Sequence, residues 1–362
     1  MNGASAMSTG SQSADWLIYG ANGYTGRLIA RLAQERGLRP TLAGRTAGRV
    51  EPLARELGLD CRAFDVSPDA LRENLRGARL VLNCAGPFVR TAPAMIDACV
   101  AQGVHYLDIT GEIDVIEHAA SLDAAARRAG VMLMPAVGFD VVPSDCLAKA
   151  LAERLPGATH LTLAFSDSGG VSPGTAKTVL LGAPHGGRTR VAGRIEPVPA
   201  AWKSREIPFA DRPRWAMTVP WGDVASAFYS TGIPNIETYY AVPQRGIQRV
   251  QRMRWMMPML GLPPIAWLLT QAIHYAIRGP NEQTRQSTRA EFWGEVANEA
   301  GQRVAGTLET PGGYQLTPLA ALECVQRVLA GQAPPGYCTP AQAFGHQLIK
   351  AIPGTRLQIP AR

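Results

Sequence analysis

Apolar and polar positions along residues 15–136 alternate in a way that predicts strands and helices in turn. A short apolar run, Leu17 to Tyr19, ends at a glycine, and an amphipathic helix from about Tyr24 to Arg36 follows. Further strand-like runs, separated by helical segments, are 40–43, 61–66, 80–84, 105–109 and 131–136. Strands that alternate with helices favour a parallel, doubly wound sheet. We therefore predict an α/β domain with such a sheet over residues 15–142.

A different pattern begins at Pro143, and it predicts a second domain over residues 143–315. A helical segment from Asp145 to Leu155 is followed by strand-like runs with irregular spacing. These strand candidates are 161–165, 191–198, 216–219, 237–242, 290–297 and 303–309. Strands without regular intervening helices indicate an α+β domain with a mixed sheet. We expect this domain to bind the substrate or to mediate dimerisation.

The two ends of the chain differ from both domains. Residues 1–14 are rich in Ser, Gly and Ala and have no apolar segment of the kind found in a signal peptide, so we expect a disordered tail. Residues 316–362 predict C-terminal helices, one from Thr317 and one over Thr339–Ile349. One interpretation is that this region returns to the first domain.

Residues 255–277 form a long apolar stretch without a single Asp, Glu, Lys or Arg. A basic helical face precedes it, made of Arg245, Arg249 and Arg252. Its length would allow a membrane span, but prolines at 258, 263 and 264 interrupt a continuous helix. Three interpretations stay open: buried packing or a homodimer contact, peripheral contact with a membrane, and a span.

The first apolar strand runs directly into a glycine-rich turn, Gly20-Ala21-Asn22-Gly23-Tyr24-Thr25-Gly26. In a strand–turn–helix context, Gly20 allows the turn, Gly23 lets backbone approach a phosphate, and Gly26 lets the helix lie against the strand. The helix N-terminus then faces a pyrophosphate. We predict that Gly20, Asn22, Gly23, Tyr24, Thr25 and Gly26 bind a dinucleotide.

The end of the second strand indicates which dinucleotide binds. NAD-binding folds commonly place an acidic residue there for the ribose 2′-hydroxyl, whereas this chain has Arg45, with Arg49 four residues on. A guanidinium pairs well with a 2′-phosphate, so NADP(H) is favoured; the alternative is that Arg45 is an ordinary solvated loop charge. Asp65, within the third predicted strand, and the loop Ala85-Gly86-Pro87, at the end of the fourth, complete the predicted cofactor site.

Three further motifs resemble those of the saccharopine dehydrogenase-like oxidoreductases, in particular the branch that includes trans-acting enoyl reductases. They are Asn83–Phe88, Gly103–Glu112 and Gly138–Asp145, with further similarity near the C-terminus at Pro335–Pro340 and Phe344-Gly345. The resemblance implies a Rossmann domain followed by an α/β domain, NADP(H) as cofactor, and hydride-transfer chemistry. It does not identify the substrate.

The sequence offers several candidate proton donors or substrate anchors: Tyr106, Asp108, Glu112, Asp140, Asp145 and Lys177. No tyrosine has a lysine four residues later, which disfavours short-chain-reductase chemistry. Asp108 and Glu112 could instead cap backbone groups, and Asp140 and Asp145 could fix the domain junction. We assign no catalytic acid from the sequence, and we expect no metal site.

Composition narrows the functional class only slightly. The net charge of +7, from 36 basic and 29 acidic residues, suits an anionic cofactor or membrane surface. The chain has no zinc-ligand cluster, RNA-binding aromatic motif or long basic tract, which argues against a nucleic-acid partner. Six cysteines without CxxC pairs are typical of free thiols in a reducing cytosol, so we expect a cytoplasmic protein, with the inner face of the plasma membrane as a second location.

The function we predict is an NADP(H)-dependent oxidoreductase that reduces an activated C=C bond of an acyl or lipid-like substrate. Two alternatives stay open. One is oxidoreduction at a C–N bond, as in saccharopine dehydrogenases. The other is a sensor or scaffold that binds NADP(H) without turnover.

Overall fold

Seven parallel strands form the first sheet of the computed structural model, which describes residues 16–170, 172–277 and 279–359. From one edge, the strand order is Gly336–Tyr337, Met132–Met134, His105–Asp108, Leu80–Asn83, Trp16–Tyr19, Thr41–Gly44 and Cys61–Ala63. This order confirms the predicted doubly wound parallel sheet, whose first strand lies beside the point where the winding reverses. The tail expected over residues 1–14 lies outside the described residues.

The elements of the first domain follow one another in strict alternation until the fifth strand, after which two helices precede the sixth. They are β1 Trp16–Tyr19, α1 Tyr24–Glu35, β2 Thr41–Gly44, α2 Ala47–Leu57, β3 Cys61–Ala63, α3 Pro68–Asn74, β4 Leu80–Asn83, α4 Phe88–Gln102, β5 His105–Asp108, α5 Ile113–Ser121, α6 Asp123–Ala129 and β6 Met132–Met134.

Both faces of this sheet are covered, and successive residues of β1 show it. Trp16 and Ile18 belong to one buried cluster, while Leu17 and Tyr19 belong to another. Because side chains along a strand point alternately to opposite faces, the two clusters lie on the two sides of the sheet. All four residues of β1 are buried, which explains why the strand is apolar throughout.

The second domain is built on a larger sheet of mixed direction. Its elements are α7 Val142–Arg154, β7 His160–Asp167, α8 Pro173–Gly182, β8 Gly187–Val191, β9 Arg194–Val198, β10 Ser204–Pro208, β11 Pro213–Thr218, α9 Asp223–Thr231, β12 Asn235–Ala241, α10 Gln244–Met253, α11 Pro263–Ala276, α12 Glu282–Ser287, β13 Arg289–Ala297 and β14 Arg303–Pro311, with 3₁₀ segments at Ala183–His185 and Arg254–Gly261. Strand β7 pairs parallel with β12 and antiparallel with β13. The predicted mixed sheet is therefore confirmed.

The C-terminal region joins both sheets. It contains α13 Gly313–Leu329, β15 Gly336–Tyr337, α14 Pro340–Phe344, a 3₁₀ segment His346–Ala351 and β16 Arg356–Gln358. Strand β15 extends the first sheet beside β6, whereas β16 pairs with β14 of the second. The region contains helices, and in addition two short strands that the sequence analysis does not predict tie it to the two sheets.

Candidate active site

Two glycines of the turn after β1, Gly20 and Gly26, leave no room for a side chain. Gly20 has φ +79°, and a Cβ on it would lie 2.7 Å from the backbone nitrogen of Ala85. A Cβ on Gly26 would collide with the carbonyl oxygen of Gly20, and the amide of Gly23 donates to the same oxygen at 3.0 Å. The turn is therefore drawn tightly against the loop after β4, so that backbone rather than side chains lines this edge of the sheet.

The N-terminus of α1 is open to an anion. Its N-cap is Gly23, no side chain caps its free amides, and its first turn contains no acidic residue. Unpaired amides and the positive end of the helix dipole both favour a phosphate at this position. These backbone groups fit the pyrophosphate of a dinucleotide.

Arg45 and Arg49 are exposed just beyond β2, as the predicted 2′-phosphate site requires. Within the described residues neither forms an ion pair or a side-chain hydrogen bond, so both guanidinium groups can meet an anion. A cavity of about 430 Å³ opens beside Arg49, which lines it together with Asn22, Arg27, Gly48, Pro52, Leu53 and Glu56.

Asp65 is also exposed at this edge. Its carboxylate accepts hydrogen bonds from the amide and hydroxyl of Ser67, which lower the pKa of Asp65. It is thus an ionised group 20 positions after Arg45, placed in a loop rather than within β3.

The loop after β4 is held in place by Asn83 and Thr91. The amide of Ala85 donates to Asn83 Oδ1 at 3.0 Å, and Thr91 Oγ1 donates to the carbonyl of Ala85 at 2.7 Å. Gly86 is exposed and Pro87 half-buried at the carboxyl end of the strand. In doubly wound folds ligands bind at this position, so the loop is fixed where a cofactor ribose or nicotinamide would lie.

Tyr106 is a candidate proton donor from the sequence, but the structure buries it completely. Its hydroxyl donates to Asp108 Oδ2 at 2.8 Å and accepts from Asn83 Nδ2 at 3.2 Å. Burial and the charge of Asp108 raise the pKa of Tyr106 well above its usual value. Tyr106 cannot reach a substrate, and its role is to support the strand ends.

Asp108 is equally buried and also belongs to the framework. Burial raises its pKa to about 6, although the amides of Ala136 and Thr110 and the hydroxyl of Tyr106 all donate to it. These bonds join the ends of β5 and β6. Asp145 acts similarly between α7 and α14, because its Oδ2 accepts from the amide of Ala341 at 2.8 Å.

The Glu112 side chain caps the N-terminus of α4. Its two carboxylate oxygens accept from the amides of Phe88 at 3.1 Å and Val89 at 2.7 Å, the first residues of that helix. Thr178 Oγ1 of α8 donates to the same group at 3.3 Å. These donors occupy the carboxylate, so the geometry favours the capping alternative over proton transfer.

Asp140 is the titratable group best suited to exchange a proton with a ligand. It is partly exposed at the junction of the two domains, and burial, Glu112 and Asp167 together raise its pKa to about 7. A Cβ on Gly111 would lie 2.8 Å from Asp140 Oδ2, so glycine at 111 makes room for this carboxyl. Trp221 Nε1 donates to the Asp140 carbonyl at 2.6 Å and fixes its backbone.

Lys177, the remaining candidate, lies half-buried on α8, next to Thr178. Among the described residues it makes no side-chain hydrogen bond or ion pair. The neighbouring Ser172 amide and Thr175 hydroxyl contact the Tyr314 hydroxyl. Lys177 stays a candidate anchor for a substrate group.

Three further residues at the junction escape sequence analysis: Asp167, Trp221 and Tyr314. Asp167 adds to the negative field at Asp140, and Asp140 in turn raises the pKa of Tyr314, after the larger effect of burial. No local motif marks any of them, because each comes from a part of the chain remote from Asp140.

The second domain also touches the glycine turn directly. The Tyr24 ring meets the Tyr314 ring edge-on at 5.1 Å, and its hydroxyl donates to the Pro280 carbonyl. Arg285 Nη1 lies 3.3 Å from the same hydroxyl. Tyr24 therefore joins the cofactor turn to the chain that follows α11.

Residues 16–134 match the family model described as the saccharopine dehydrogenase NADP binding domain. Over these residues the chain is similar to that domain family. The resemblance noted from the motifs is confirmed, and NADP(H) is the cofactor of this domain family. The open helix N-terminus, the glycine turn and the unpaired arginines of this saccharopine dehydrogenase-like chain fit that cofactor.

The curated relatives match only part of the chain. A Mycobacterium tuberculosis protein, provisionally named a trans-acting enoyl reductase, is 33% identical over 181 residues, covering 46% of this chain and 43% of that protein. The trans-acting enoyl reductase of Mycobacterium leprae is 33% identical over 160 residues, covering 41% and 38%. The chain thus matches less than half the length of these relatives.

One solved structure shares the whole architecture. Apo saccharopine dehydrogenase (L-Glu forming) from Saccharomyces cerevisiae aligns with 96% of this chain and 99% of its own, at a TM-score of 0.65 and 12% identity. At that identity the likeness establishes the fold alone, namely a Rossmann domain followed by a mixed-sheet domain.

Proposed function

We propose that this protein is an NADP(H)-dependent reductase of an activated C=C bond in an acyl or lipid-like substrate. The observation that carries the proposal is Asp140, a half-buried residue at the junction between the cofactor domain and the second domain, whose carboxyl has its pKa raised by burial to about 7. A group with that pKa is protonated in part of the molecules at neutral pH and can act as a general acid.

In the proposed reaction the hydride and the proton come from two different groups. NADPH, held by the glycine turn and by Arg45 and Arg49, would supply a hydride to the β-carbon of the C=C bond, which would leave an enolate. Asp140 gives its proton to the α-carbon of the resulting enolate and becomes a carboxylate, which solvent protonates again. Glu112 and Asp167 keep the pKa of Asp140 high enough for it to hold this proton beforehand.

The NADP(H) preference rests on Arg45 and Arg49. Replacing Arg45 with alanine is expected to weaken NADPH binding about 10- to 100-fold, since a charge-assisted hydrogen bond contributes about 1.5–3 kcal/mol. NADH binding, which has no 2′-phosphate to lose, should change little. Fluorescence titration of both cofactors measures this, with exposed Arg36→Ala as the matched control. Equal affinity of the wild type for both cofactors would contradict the assignment.

The reaction class is tested by a substrate panel. NADPH oxidation is measured against enoyl thioesters of increasing chain length, against ketones, and against imines. We expect turnover with the enoyl thioesters, as the names of the mycobacterial relatives suggest. Turnover with imines alone would favour oxidoreduction at a C–N bond, for which the carboxylates around Asp140 would suit a cationic amine. Tight NADPH binding without turnover on any class would favour a sensor or scaffold.

A further inference from the structure

The segment from α10 to α11 exposes large apolar side chains to an extent that the rest of the described chain does not. Eight of the 13 exposed large hydrophobic residues lie within 253–275. Trp255 is 72% exposed, Trp267 64% and Leu268 62%. No residue of the 3₁₀ segment Arg254–Gly261 is buried. We call this segment, residues 244–276, the apolar arm; so many exposed large apolar side chains within one segment indicate an interaction site.

The first helix of the apolar arm carries a basic face. Arg245, Arg249 and Arg252 follow one another at helical spacing and are exposed, while Ile247 on the opposite side is buried. In the described structure none of these arginines pairs with a carboxylate, and residues 244–277 contain no Asp or Glu. Unpaired guanidinium groups beside exposed tryptophans match an interface that is anionic at its surface and apolar below.

The geometry favours an arm that lies on a bilayer over one that crosses it. Within the described residues no single helix has the length and apolarity of a membrane span; only one bent pair does, Gln244–Gly261 with Pro263–Ile273, at an angle of 102°. Helix α11 has 14 residues and is therefore roughly 21 Å long, short of the ~30 Å hydrocarbon core. The exposed side chains can reach only the headgroup and upper acyl region.

A second copy of this chain fits the surface less well. In a two-fold interface the same patch meets itself, so the arginines of one protomer would approach those of the other. Residues 244–277 supply no carboxylate to offset that repulsion. The phosphate groups of lipids would offset this repulsion.

We propose that the apolar arm docks the protein on the surface of an anionic phospholipid bilayer. The arm is joined to the site at two points. Helix α11 packs on α8, whose Thr178 donates to Glu112, and the chain after α11 contacts Tyr24 of the glycine turn at Pro280. A docked arm therefore places the domain junction close to the membrane surface. This proposal does not depend on the reaction class.

Flotation of the full chain with vesicles tests the proposal. We expect binding to vesicles of equal parts phosphatidylcholine and phosphatidylglycerol, and much weaker binding to phosphatidylcholine alone. Arg245→Gln/Arg249→Gln/Arg252→Gln should lower partitioning about a hundredfold, since each charge near an anionic surface contributes about a factor of five. Trp255→Ser/Trp267→Ser should also lower it.

Two matched variants serve as controls. Arg36→Gln/Arg55→Gln/Arg128→Gln makes the same change in net charge on exposed positions of the first domain, and Trp202→Ser/Trp215→Ser removes exposed tryptophans outside the arm. Both should float like the wild type, and NADPH titration of every variant verifies folding separately from lipid binding. No binding to the anionic vesicles, or binding that both arm variants retain, would overturn the proposal. A dimer seen by light scattering and lost in Trp255→Ser/Trp267→Ser would assign the arm to a second copy instead.

Discussion

Replacing Asp140 with asparagine is expected to lower kcat about 10²- to 10⁴-fold on the substrate that the panel identifies, with NADPH affinity retained. Asparagine keeps the size of the side chain, so it still fits against Gly111, but it cannot give up a proton. Stopped-flow measurement of NADPH oxidation under single-turnover conditions gives the effect on chemistry, and fluorescence titration gives cofactor affinity. A kcat close to that of the wild type would remove Asp140 from the mechanism.

The pH dependence gives an independent test of the same assignment. A general acid works in its protonated form, and the pKa of Asp140 is about 7. The wild-type rate should therefore be constant below pH 7 and fall tenfold per pH unit above it. This descending limb should disappear in Asp140→Asn.

Neighbouring carboxyls provide the control for that profile. After burial, Glu112 contributes more than Asp167 to raising the pKa of Asp140. Neutralising either charge stabilises the Asp140 carboxylate, so the midpoint should move to lower pH, further in Glu112→Gln than in Asp167→Asn. A midpoint that stays fixed in both variants would mean that another group titrates.

The cofactor half of the site could be predicted from the sequence because its signals are local. The turn from Gly20 to Gly26 directly follows the buried strand β1. Arg45 comes one residue after β2, the strand that pairs with β1. Parallel strands end at a common edge, so residues just beyond each strand converge without further information.

The proposed proton donor could not be singled out from the sequence, because its environment depends on contacts between remote segments. Burial and the negative charges of Glu112 and Asp167 raise the pKa of Asp140. Trp221, 81 positions away, donates a hydrogen bond to its backbone carbonyl. The residues next to Asp140 in the sequence do not show how far its carboxyl is buried or how much charge surrounds it. The sequence could name Asp140 as one of six candidates, but only the fold separates it from Tyr106 and Glu112.

One helix start was also hidden by a proline. A proline favours the first helical position, which predicts a start at Thr317-Pro318. Helix α13 begins earlier, at Gly313, with the proline inside the helix. The added turn of α13 carries Tyr314, which is why that residue escaped the sequence.

Gly20→Ala is expected to abolish measurable NADPH binding and to destabilise the first domain. Two costs combine: a left-handed backbone costs about 1–2 kcal/mol for an L-residue, and overpacking a tight contact costs about 1–3 kcal/mol more. The added methyl group would press on the backbone of Ala85, which cannot rotate away as a side chain could. Either the turn opens or the loop after β4 shifts, and both displace groups of the cofactor site.

Gly37→Ala separates these two costs. Gly37 also has a positive φ, +73°, but a Cβ there meets nothing within 4 Å. It should lose only the conformational part, about 1–2 kcal/mol, and bind NADPH like the wild type. Urea unfolding with and without NADPH measures stability and cofactor linkage together. If Gly20→Ala lost no more than Gly37→Ala and still bound NADPH, the close approach of the turn to Ala85 would have no part in forming the cofactor site.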